Sequence, residues 1–303
     1  MIDLHMHSIY SDDGQFSPAA LMRLCAEAGV ETASVTDHNC ARANEEAARE
    51  ARALGILYLP GIEIDCSFAG VDLHLLGYGI HPDDAALARI EEEHSRQFAR
   101  ASRLRLARTR ELGFCVTEAE MEAIALANGQ RADNWTSEMF AEVLLARPEY
   151  ADHPLLLPYR PGGARGENPL VNFHWDFYAQ GKPCHAPMEC PSLEEAVAAI
   201  RSSGGLAVLA HPGINLKGRE RLLGGIIARG VDGIEAFCSY HTPEQATLFL
   251  HRARAYGLLV TCGSDFHGKT KPAVSLGGHG CTLAPAEVLN PLRQALLRAA
   301  LRP

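Results

Sequence analysis

Histidines and carboxylates recur along the chain in short clusters that have the spacing of metal ligands. His5 and His7 form an H-x-H pair, and Asp265 and His267 repeat the same spacing. On an extended segment, residues two apart point to the same side, so both side chains of a pair can reach one ion. Together with polar residues at or near the ends of other predicted strands, these pairs give nine candidate ligands: His5, His7, Asp12, His38, Glu63, His74, His211, Asp265 and His267.

Nine ligands are too many for a single tetrahedral ion. If one carboxylate bridges, three ions would each receive three or four protein ligands and keep positions open for water and substrate. Imidazole and carboxylate without thiolate suit manganese, iron or zinc, and the residue types alone do not choose among these metals. Cys262 is close in sequence, but we interpret it as a small buried apolar residue.

The elements that must position these residues alternate between short apolar runs and helical patterns. The pattern predicts strands near 1–3, 32–36, 56–63, 71–80, 206–210, 233–237 and 258–262, and helices at 18–28, 42–54, 193–202, 219–229 and 243–256. Such alternation favours a parallel sheet or barrel. In these folds ligands bind at the carboxyl ends of the strands, and the candidate ligands fall at or near six such ends.

The alternation is interrupted after residue 82. Residues 83–112 predict one or two long helices, residues 116–150 hold two further helical stretches, and residues 153–170 are rich in Pro, Gly and Arg, which is typical of loops. We therefore expect a split α/β domain formed by 1–97 and 187–303. The mostly helical insertion at 98–186 is expected to be a substrate-recognition subdomain.

Composition and charge exclude several classes of protein. The chain has 303 residues, of which 47 % are hydrophobic, and a formal net charge of −9. This composition is globular, and the acidic balance argues against a duplex nucleic-acid partner. No apolar run reaches the roughly 18 residues of a membrane span, and the first residues lack the features of a targeting segment. Nine cysteines without a C-x-x-C pair indicate reduced thiols and predict a cytoplasmic location.

The segments that carry the candidate ligands also resemble known motifs. In chain order they read DLHMHS followed by SDD, then TDHN, GIEID, AHPG and GSDFH, and together they are similar to those of the polymerase and histidinol phosphatase (PHP) family of the amidohydrolase-like superfamily. The similarity covers both sides of the insertion. It implies a distorted (β/α)7 barrel of the PHP type with two or three divalent ions at its C-terminal face, and a phosphoesterase activity.

The resemblance also implies which residues hold each ion. It implies that His5, His7, Glu63 and Asp265 hold one ion, that Glu63 bridges to a second held by His74 and His211, and that Asp12, His38 and His267 hold a third. Asp13, next to Asp12, is the alternative at that position. Manganese is the first expectation for the metal, with zinc or iron as alternatives. We assign Asp265, Glu63 and His267 to catalysis, with Asp265 accepting the proton of a hydroxide that bridges two ions.

The chain length and the insertion resemble the small-nucleotide branch of the family. This similarity implies hydrolysis of a phosphate monoester of a small nucleotide, first of all the 3′-phosphate of nucleoside 3′,5′-bisphosphates. The alternatives are a 5′→3′ exoribonuclease on short oligonucleotides, a histidinol phosphatase, an amide hydrolase and a non-catalytic PHP module. We expect neither a membrane nor duplex nucleic acid as a partner, and the sequence indicates no particular protein partner. The candidate substrate contacts are Arg131, Lys182, Tyr240, His241, Lys269 and Lys271.

Overall fold

Eight strands form two sheets in the computed structural model, which describes residues 1–300. The first sheet is parallel and has the order β1-β2-β3, with β1 at Ile2–Asp3, β2 at Thr32–Ala33 and β3 at Leu57–Tyr58. The second has the order β4-β5-β6-β7-β8. Its strands are Gly61–Phe68, Val71–Tyr78, Leu206–Leu209, Gly233–Cys238 and Leu259–Gly263.

The two sheets close into a ring. Met6 bridges to Phe266 beyond the ends of β1 and β8, and His38 bridges to Glu63 beyond β2, both in parallel orientation. Because β3 and β4 are separated by two residues only, they act as one continuous strand, and the ring has seven strands rather than eight. The predicted distorted (β/α)7 barrel is therefore confirmed.

The barrel is distorted because β5 runs antiparallel to both of its neighbours, whereas β6, β7 and β8 are mutually parallel. The turn between β4 and β5 has two residues, Ala69 and Gly70, with φ values of 51° and 74°. Left-handed conformations at both positions are what a tight hairpin turn requires. The antiparallel β5 departs from the parallel pairing that the alternation favours, and His74 lies in mid-strand opposite Asp65 instead of at a strand end.

Eleven α-helices are formed by residues 1–300, and most begin with the capping residues visible in the sequence. Ser17 caps α1 by accepting from the Ala20 N–H, and Ser192 and Thr242 form capping boxes at α7 and α10. Helices α1 to α5 are Pro18–Glu27, Ala43–Leu54, Ala85–Glu111, Glu118–Ala127 and Ser137–Ala146. Helices α6 to α11 are Pro169–Phe173, Leu193–Ser202, Pro212–Asn215, Leu223–Ala228, Pro243–Ala255 and Pro285–Ala299.

The helical segment between β5 and α7 has a hydrophobic core of its own. Its buried residues include Leu106, Phe114, Trp135, Phe140 and Phe173, and they form a cluster separate from the core of the barrel. The predicted boundary at 97/98 falls inside α3, which runs without a break from the barrel side into this segment. Within residues 1–300, no helix combines the length and the apolar character that crossing a bilayer requires.

Candidate metal centre

The H-x-H pair follows β1 and is fully buried in the ring. His5 and His7 each have 0 % of their surface exposed. The segment after β8 runs directly beside them, because Gly263 has no side chain: a Cβ there would lie 2.2 Å from the Cβ of His5. A glycine at this position lets the two backbones approach closely. The close approach places Asp265 and His267 next to the H-x-H pair.

Four side chains converge on a first position for an ion. Ligand atoms of His5, His7, Glu63 and Asp265 lie within 4.8 Å of one another, and all four residues are buried. His7 Nε2 approaches Asp265 Oδ1 to 3.0 Å, yet neither atom has a hydrogen-bond partner among the described residues. Buried polar atoms are normally satisfied. A divalent ion fits this donor set, because it would satisfy both orphaned atoms.

Glu63 divides its two carboxylate oxygens between two groups. Oε2 lies 3.1 Å from His5 Nε2, whereas Oε1 lies 3.0 Å from His74 Nδ1 and 3.1 Å from His211 Nε2. Ligand atoms of Glu63, His74 and His211 form a second group within 4.8 Å. This division of the oxygens is the arrangement that a bridging carboxylate needs. Glu63 therefore has the geometry of a ligand shared by two ions.

A third group contains Asp13 in place of Asp12. Ligand atoms of His7, Asp13, His38 and His267 lie within 4.8 Å, and His267 Nε2 is 3.1 Å from Asp13 Oδ2. Asp12 points away, toward the helical segment: its Oδ2 contacts His94 Nε2 at 3.0 Å and its Oδ1 accepts from Asn134 Nδ2. The choice of Asp12 is corrected to Asp13, because neighbouring residues of the loop face opposite sides.

The structure adds two carboxylates that the sequence reasoning did not assign. Asp65 groups with His38 and His74, and Glu235 contacts His5 Nδ1 at 3.0 Å while accepting from the His211 N–H. Asp65 could have been found from strand alternation, because it is two residues from Glu63 on β4 and shares its face. Glu235 orients both His5 and His211, as groups behind metal ligands commonly do.

The charges in the centre hold one another ionised. Burial lowers the pKa of His5, but Glu63, Glu235 and Asp265 outweigh burial and raise that pKa well above its usual value. Burial raises the pKa of Glu63, but the surrounding histidines, His5 first, hold it well below its usual range. Burial also raises the pKa of Asp265, and Lys271, whose Nζ lies 3.0 Å from Asp265 Oδ2, outweighs that effect together with His267 and His5.

We predict that divalent ions displace protons from this centre. Both ring nitrogens of His5 contact carboxylates, and the pKa values of His5 and His38 are raised well above their usual value, so protons compete with metal ions for these rings. A ligating imidazole must be neutral, so the affinity for Mn²⁺ should rise with pH, about tenfold per pH unit for each proton released.

The measurement is calorimetric titration with Mn²⁺ between pH 6 and 8, in two buffers of different ionisation enthalpy, which counts the protons released. Equal affinity at both ends of this pH range, with no proton release, would contradict the assignment of the histidines as ligands.

The backbone is strained at the same place. Asn39, His211 and Asp265 have positive φ values of 52°, 24° and 57°, and among the non-glycine residues of 1–300 only Ala69 shares this feature. Such conformations cost about 1–3 kcal/mol each and persist where the surrounding structure enforces them. Each of the three adjoins or belongs to the ligand groups. The strain is therefore confined to the centre and to one hairpin turn.

A cleft of about 940 Å³ opens beside the second and third groups. His38, Asp65 and His74 lie on its barrel side, and Phe98 and Arg105 of α3 lie on the side of the helical segment. Further lining residues come from the loop that holds Asp12 and Asp13, from other turns of α3, and from α5, α7 and the loop before α7. Volumes of this order are typical of pockets for small ligands. The cleft thus joins the candidate metal centre to the helical segment.

Three of the cationic side chains expected to bind substrate lie outside this cleft. Arg131 is exposed and pairs with Asp133 at 3.1 Å, and Lys182 is exposed. Lys269 donates to Asn128 and pairs with Glu142 at 3.0 Å, so it ties the loop after β8 to the helical segment. The lining of the large cleft includes none of these three. Arg131 and Lys269 are engaged by carboxylates and Lys182 faces solvent, so the position of the large cleft does not favour these three as contacts of a substrate bound there.

Tyr240, His241 and Lys271 lie next to the metal ligands on the β7 side. His241 donates from Nδ1 to the Ala236 carbonyl and accepts the Gly213 N–H at Nε2, so neither nitrogen is free for substrate, which corrects that assignment. The Tyr240 ring lies under the Lys271 ammonium at 5.3 Å, and its buried hydroxyl has no hydrogen-bond partner among the described residues. Tyr240 and Lys271 therefore stay candidates for substrate contact.

Comparison of the sequence with known proteins finds a matching family model and similar proteins. The model of the PHP domain family matches residues 3–150. The chain is 31 % identical to a 3′,5′-nucleoside bisphosphate phosphatase from Chromobacterium violaceum, over 100 % of this chain and 98 % of that protein. It is 29 % identical to the 5′-3′ exoribonuclease Rnm from Salmonella typhimurium, over 91 % of this chain and 87 % of the relative.

Two solved structures resemble the whole chain. One is an amidohydrolase from Chromobacterium violaceum with bound sulfate and no metal, with a TM-score of 0.78 and 27 % identity over 98 % of this chain and 96 % of that one. The other, from Bifidobacterium adolescentis, is described as a metal-dependent phosphoesterase. Its TM-score is 0.71, with 26 % identity over 96 % of this chain and 94 % of the other.

Proposed function

Since the chain belongs to the PHP domain family and is a metal-dependent phosphoesterase, we propose that it removes the 3′-phosphate from nucleoside 3′,5′-bisphosphates. The observation that carries this proposal is the cleft, which has metal-ligand side chains at one wall and an arginine at the other. Divalent ions at such a centre neutralise phosphate oxygens and make water a stronger nucleophile. A substrate with two phosphates could then be held at both walls.

Arg105 is the proposed partner of the second phosphate. Its guanidinium lies 4.8 Å from the Phe98 ring, and Nη1 donates to the Trp135 carbonyl, so the side chain is held in place. The ion pairs formed within residues 1–300 include none with Arg105. Arginine suits phosphate because its planar fork can donate two hydrogen bonds at once. We therefore assign the helical segment to substrate recognition.

Arg105→Met is expected to lower kcat/KM for a nucleoside 3′,5′-bisphosphate by about 10- to 100-fold, which is the effect of losing one or two charge-assisted hydrogen bonds. The effect should be much smaller for a monophosphate that lacks the second phosphate. Steady-state kinetics of phosphate release with both substrates measure this difference.

Arg103→Met is the matched control, because Arg103 lies on the same helix but is exposed outside the large cleft. Equal losses for the two variants, or for the two substrates, would contradict the assignment of Arg105.

Asp265 is proposed as the acceptor of the proton from the attacking water, besides its place among the ligands. Its carboxylate is kept ionised by Lys271 and the neighbouring histidines. Asp265→Asn is expected to abolish most turnover. A variant protein that keeps its full metal content and full turnover would contradict this role.

A 5′→3′ exoribonuclease is the second candidate, and a separate feature supports it. Arg96, Arg100, Arg103 and Arg131 line a smaller hollow beside α3, together with Glu91, Glu92 and Asp133. A basic track of this kind could hold the backbone of a short single strand. The acidic residues interleaved with the arginines weaken that interaction, so the bisphosphate remains the preferred substrate.

A substrate panel separates the two candidates. Manganese-loaded protein would be incubated with nucleoside 3′,5′-bisphosphates, 3′- and 5′-monophosphates, histidinol phosphate and 5′-phosphorylated oligoribonucleotides, and products would be identified by chromatography. The proposal predicts fastest release of phosphate from the 3′ position of the bisphosphate, leaving the 5′-monophosphate. Release of mononucleotides from the oligomer alone would favour the exoribonuclease, and turnover of histidinol phosphate alone would contradict both. Manganese as the metal and a cytoplasmic location stay predictions.

A further inference from the structure

Two cysteines and one histidine form a cluster outside the metal centre. Cys262 is in β8, three residues before Asp265, and Cys281 lies on the segment that leads to α11. The two sulfur atoms and a ring nitrogen of His279 lie within 4.8 Å of one another. Cys262 is buried and Cys281 is partly exposed. A partly exposed thiol thus adjoins a buried one.

The hydrogen bonds of His279 argue against a metal in this cluster. Its Nε2 donates to the Ile2 carbonyl at 2.7 Å, and its Nδ1 accepts the Cys281 N–H at 3.1 Å. Neither nitrogen is left for an ion, and two thiolates alone do not complete the four-ligand sites that zinc forms with cysteine. The histidine instead fixes the Cys281 backbone beside β1. The cluster therefore suits reaction between the two sulfurs.

The electrostatics agree with this interpretation. The neighbouring Cys262 thiol, together with the Leu283 N–H, lowers the pKa of Cys281 to about 7. The proximity of Cys281 and burial raise the pKa of Cys262. Among the thiols of residues 1–300 whose pKa departs from the usual range, Cys281 is the one that is lowered. The thiolate is the reactive form of cysteine.

We propose that Cys281 and Cys262 are a peroxide-sensitive thiol pair that closes into a disulfide. The Cys281 thiolate attacks one oxygen of hydrogen peroxide, the O–O bond breaks, and hydroxide leaves and takes up a proton, which gives the sulfenic acid and water. The Cys262 sulfur then attacks the Cys281 sulfur. The S–O bond breaks, and hydroxide leaves with the thiol proton as a second water. Two thiols and one peroxide thus give one disulfide and two waters.

This disulfide would close a loop that carries part of the metal centre. The loop from 262 to 281 contains Asp265, His267 and Lys271. Forming the bond draws the sulfurs to about 2.05 Å of each other, which requires movement at one or both ends of the loop. We expect the affinity for Mn²⁺ to fall about tenfold, the size of effect that displacing groups around metal ligands produces. This consequence rests on the metal centre proposed above, whereas the disulfide itself does not.

The test is oxidation of the metal-free full chain with a small excess of hydrogen peroxide, followed by alkylation and mass spectrometry. The expected result is a chain that takes up about two alkyl groups fewer than the reduced control, because one disulfide removes two thiol hydrogens and blocks both sulfurs, and a peptide cross-linked between Cys262 and Cys281 that dithiothreitol separates. Mn²⁺ titration before and after oxidation then measures the change in affinity.

Cys281→Ser and Cys262→Ala should each prevent the cross-link, whereas Cys115→Ser, at an exposed cysteine in the helical segment, should leave it unchanged. Absence of a 262–281 peptide from the oxidised wild-type protein would overturn the proposal. Because the cross-link is read by mass, it can fail or succeed independently of any phosphatase activity.

Discussion

Glu63→Gln is expected to lower kcat/KM by about a thousandfold or more. Within residues 1–300, Glu63 is the one carboxylate whose two oxygens serve two ligand groups, so the substitution weakens two ion positions at once. A catalytic metal ion contributes several kcal/mol to transition-state stabilisation, and each 1.4 kcal/mol corresponds to a factor of ten in rate. A neutral amide also leaves the surrounding imidazoles without the charge that holds their pKa values up.

Steady-state kinetics and metal analysis of the purified variant test this expectation. The matched control is Glu122→Gln, at an exposed glutamate of α4, which should retain both turnover and bound metal. Circular dichroism and thermal unfolding separate a local effect from a failure to fold, since Glu63 is completely buried. A Glu63→Gln protein that is folded, fully loaded with metal and fully active would contradict the bridging role.

Asp13→Asn is expected to reduce turnover about 100-fold or more, whereas Asp12→Asn should reduce it by no more than about tenfold. Asp13 lies in the third ligand group, 3.1 Å from His267 Nε2, and the histidines around it hold its pKa far below the usual range despite burial. Asp12 contacts His94 and Asn134 on the helical segment, so its loss disturbs a supporting contact only. Groups that directly orient metal ligands typically contribute about 10- to 100-fold in affinity or activity; the partners of Asp12 are not themselves in the ligand groups, so the effect of its loss is expected at or below the lower end of that range.

The two variants are compared by kinetics and by the number of Mn²⁺ ions bound per chain. Asp13→Asn should lose one weakly bound ion, and Asp12→Asn should lose none. Each substitution removes one carboxylate charge, and the two positions are adjacent. Nonspecific electrostatic effects are therefore the same in both variants and cancel when the two are compared. The reverse order of effects would restore Asp12 as the ligand.

Much of the fold could be predicted from the sequence, because its signals are local. Apolar runs and capping residues such as Ser17 and Ser192 mark the strands and helices around the ring, and the family motifs supply the barrel. The reversal of β5 could not be predicted, because Ala69-Gly70 is a weak turn signal and the strand sequence has no feature that sets its direction. Helix α11 was not predicted, although Pro285 stands at its first turn.

Ligands of the candidate site could be predicted where the spacing of residues along a strand determines the side to which their side chains point. Alternation along a strand makes His5 and His7 point together, and the structure brings together all the ligand candidates except Asp12. The choice between Asp12 and Asp13 depends on a loop, where no periodicity indicates which side chain turns inward. The position of the expected substrate-binding cations could not be predicted for a different reason. Whether Lys269 or Arg131 is free depends on acids distant in sequence or on local pairing, which only the folded chain shows.

The most direct test of the account is activity measured against metal content. Chelated, metal-free protein would be titrated with Mn²⁺ while phosphate release from a nucleoside 3′,5′-bisphosphate and the number of ions bound are recorded in parallel. We expect no turnover without metal, and turnover that rises as two to three ions bind per chain. Full turnover by the metal-free protein would contradict the claim that these buried histidines and carboxylates form the catalytic metal centre.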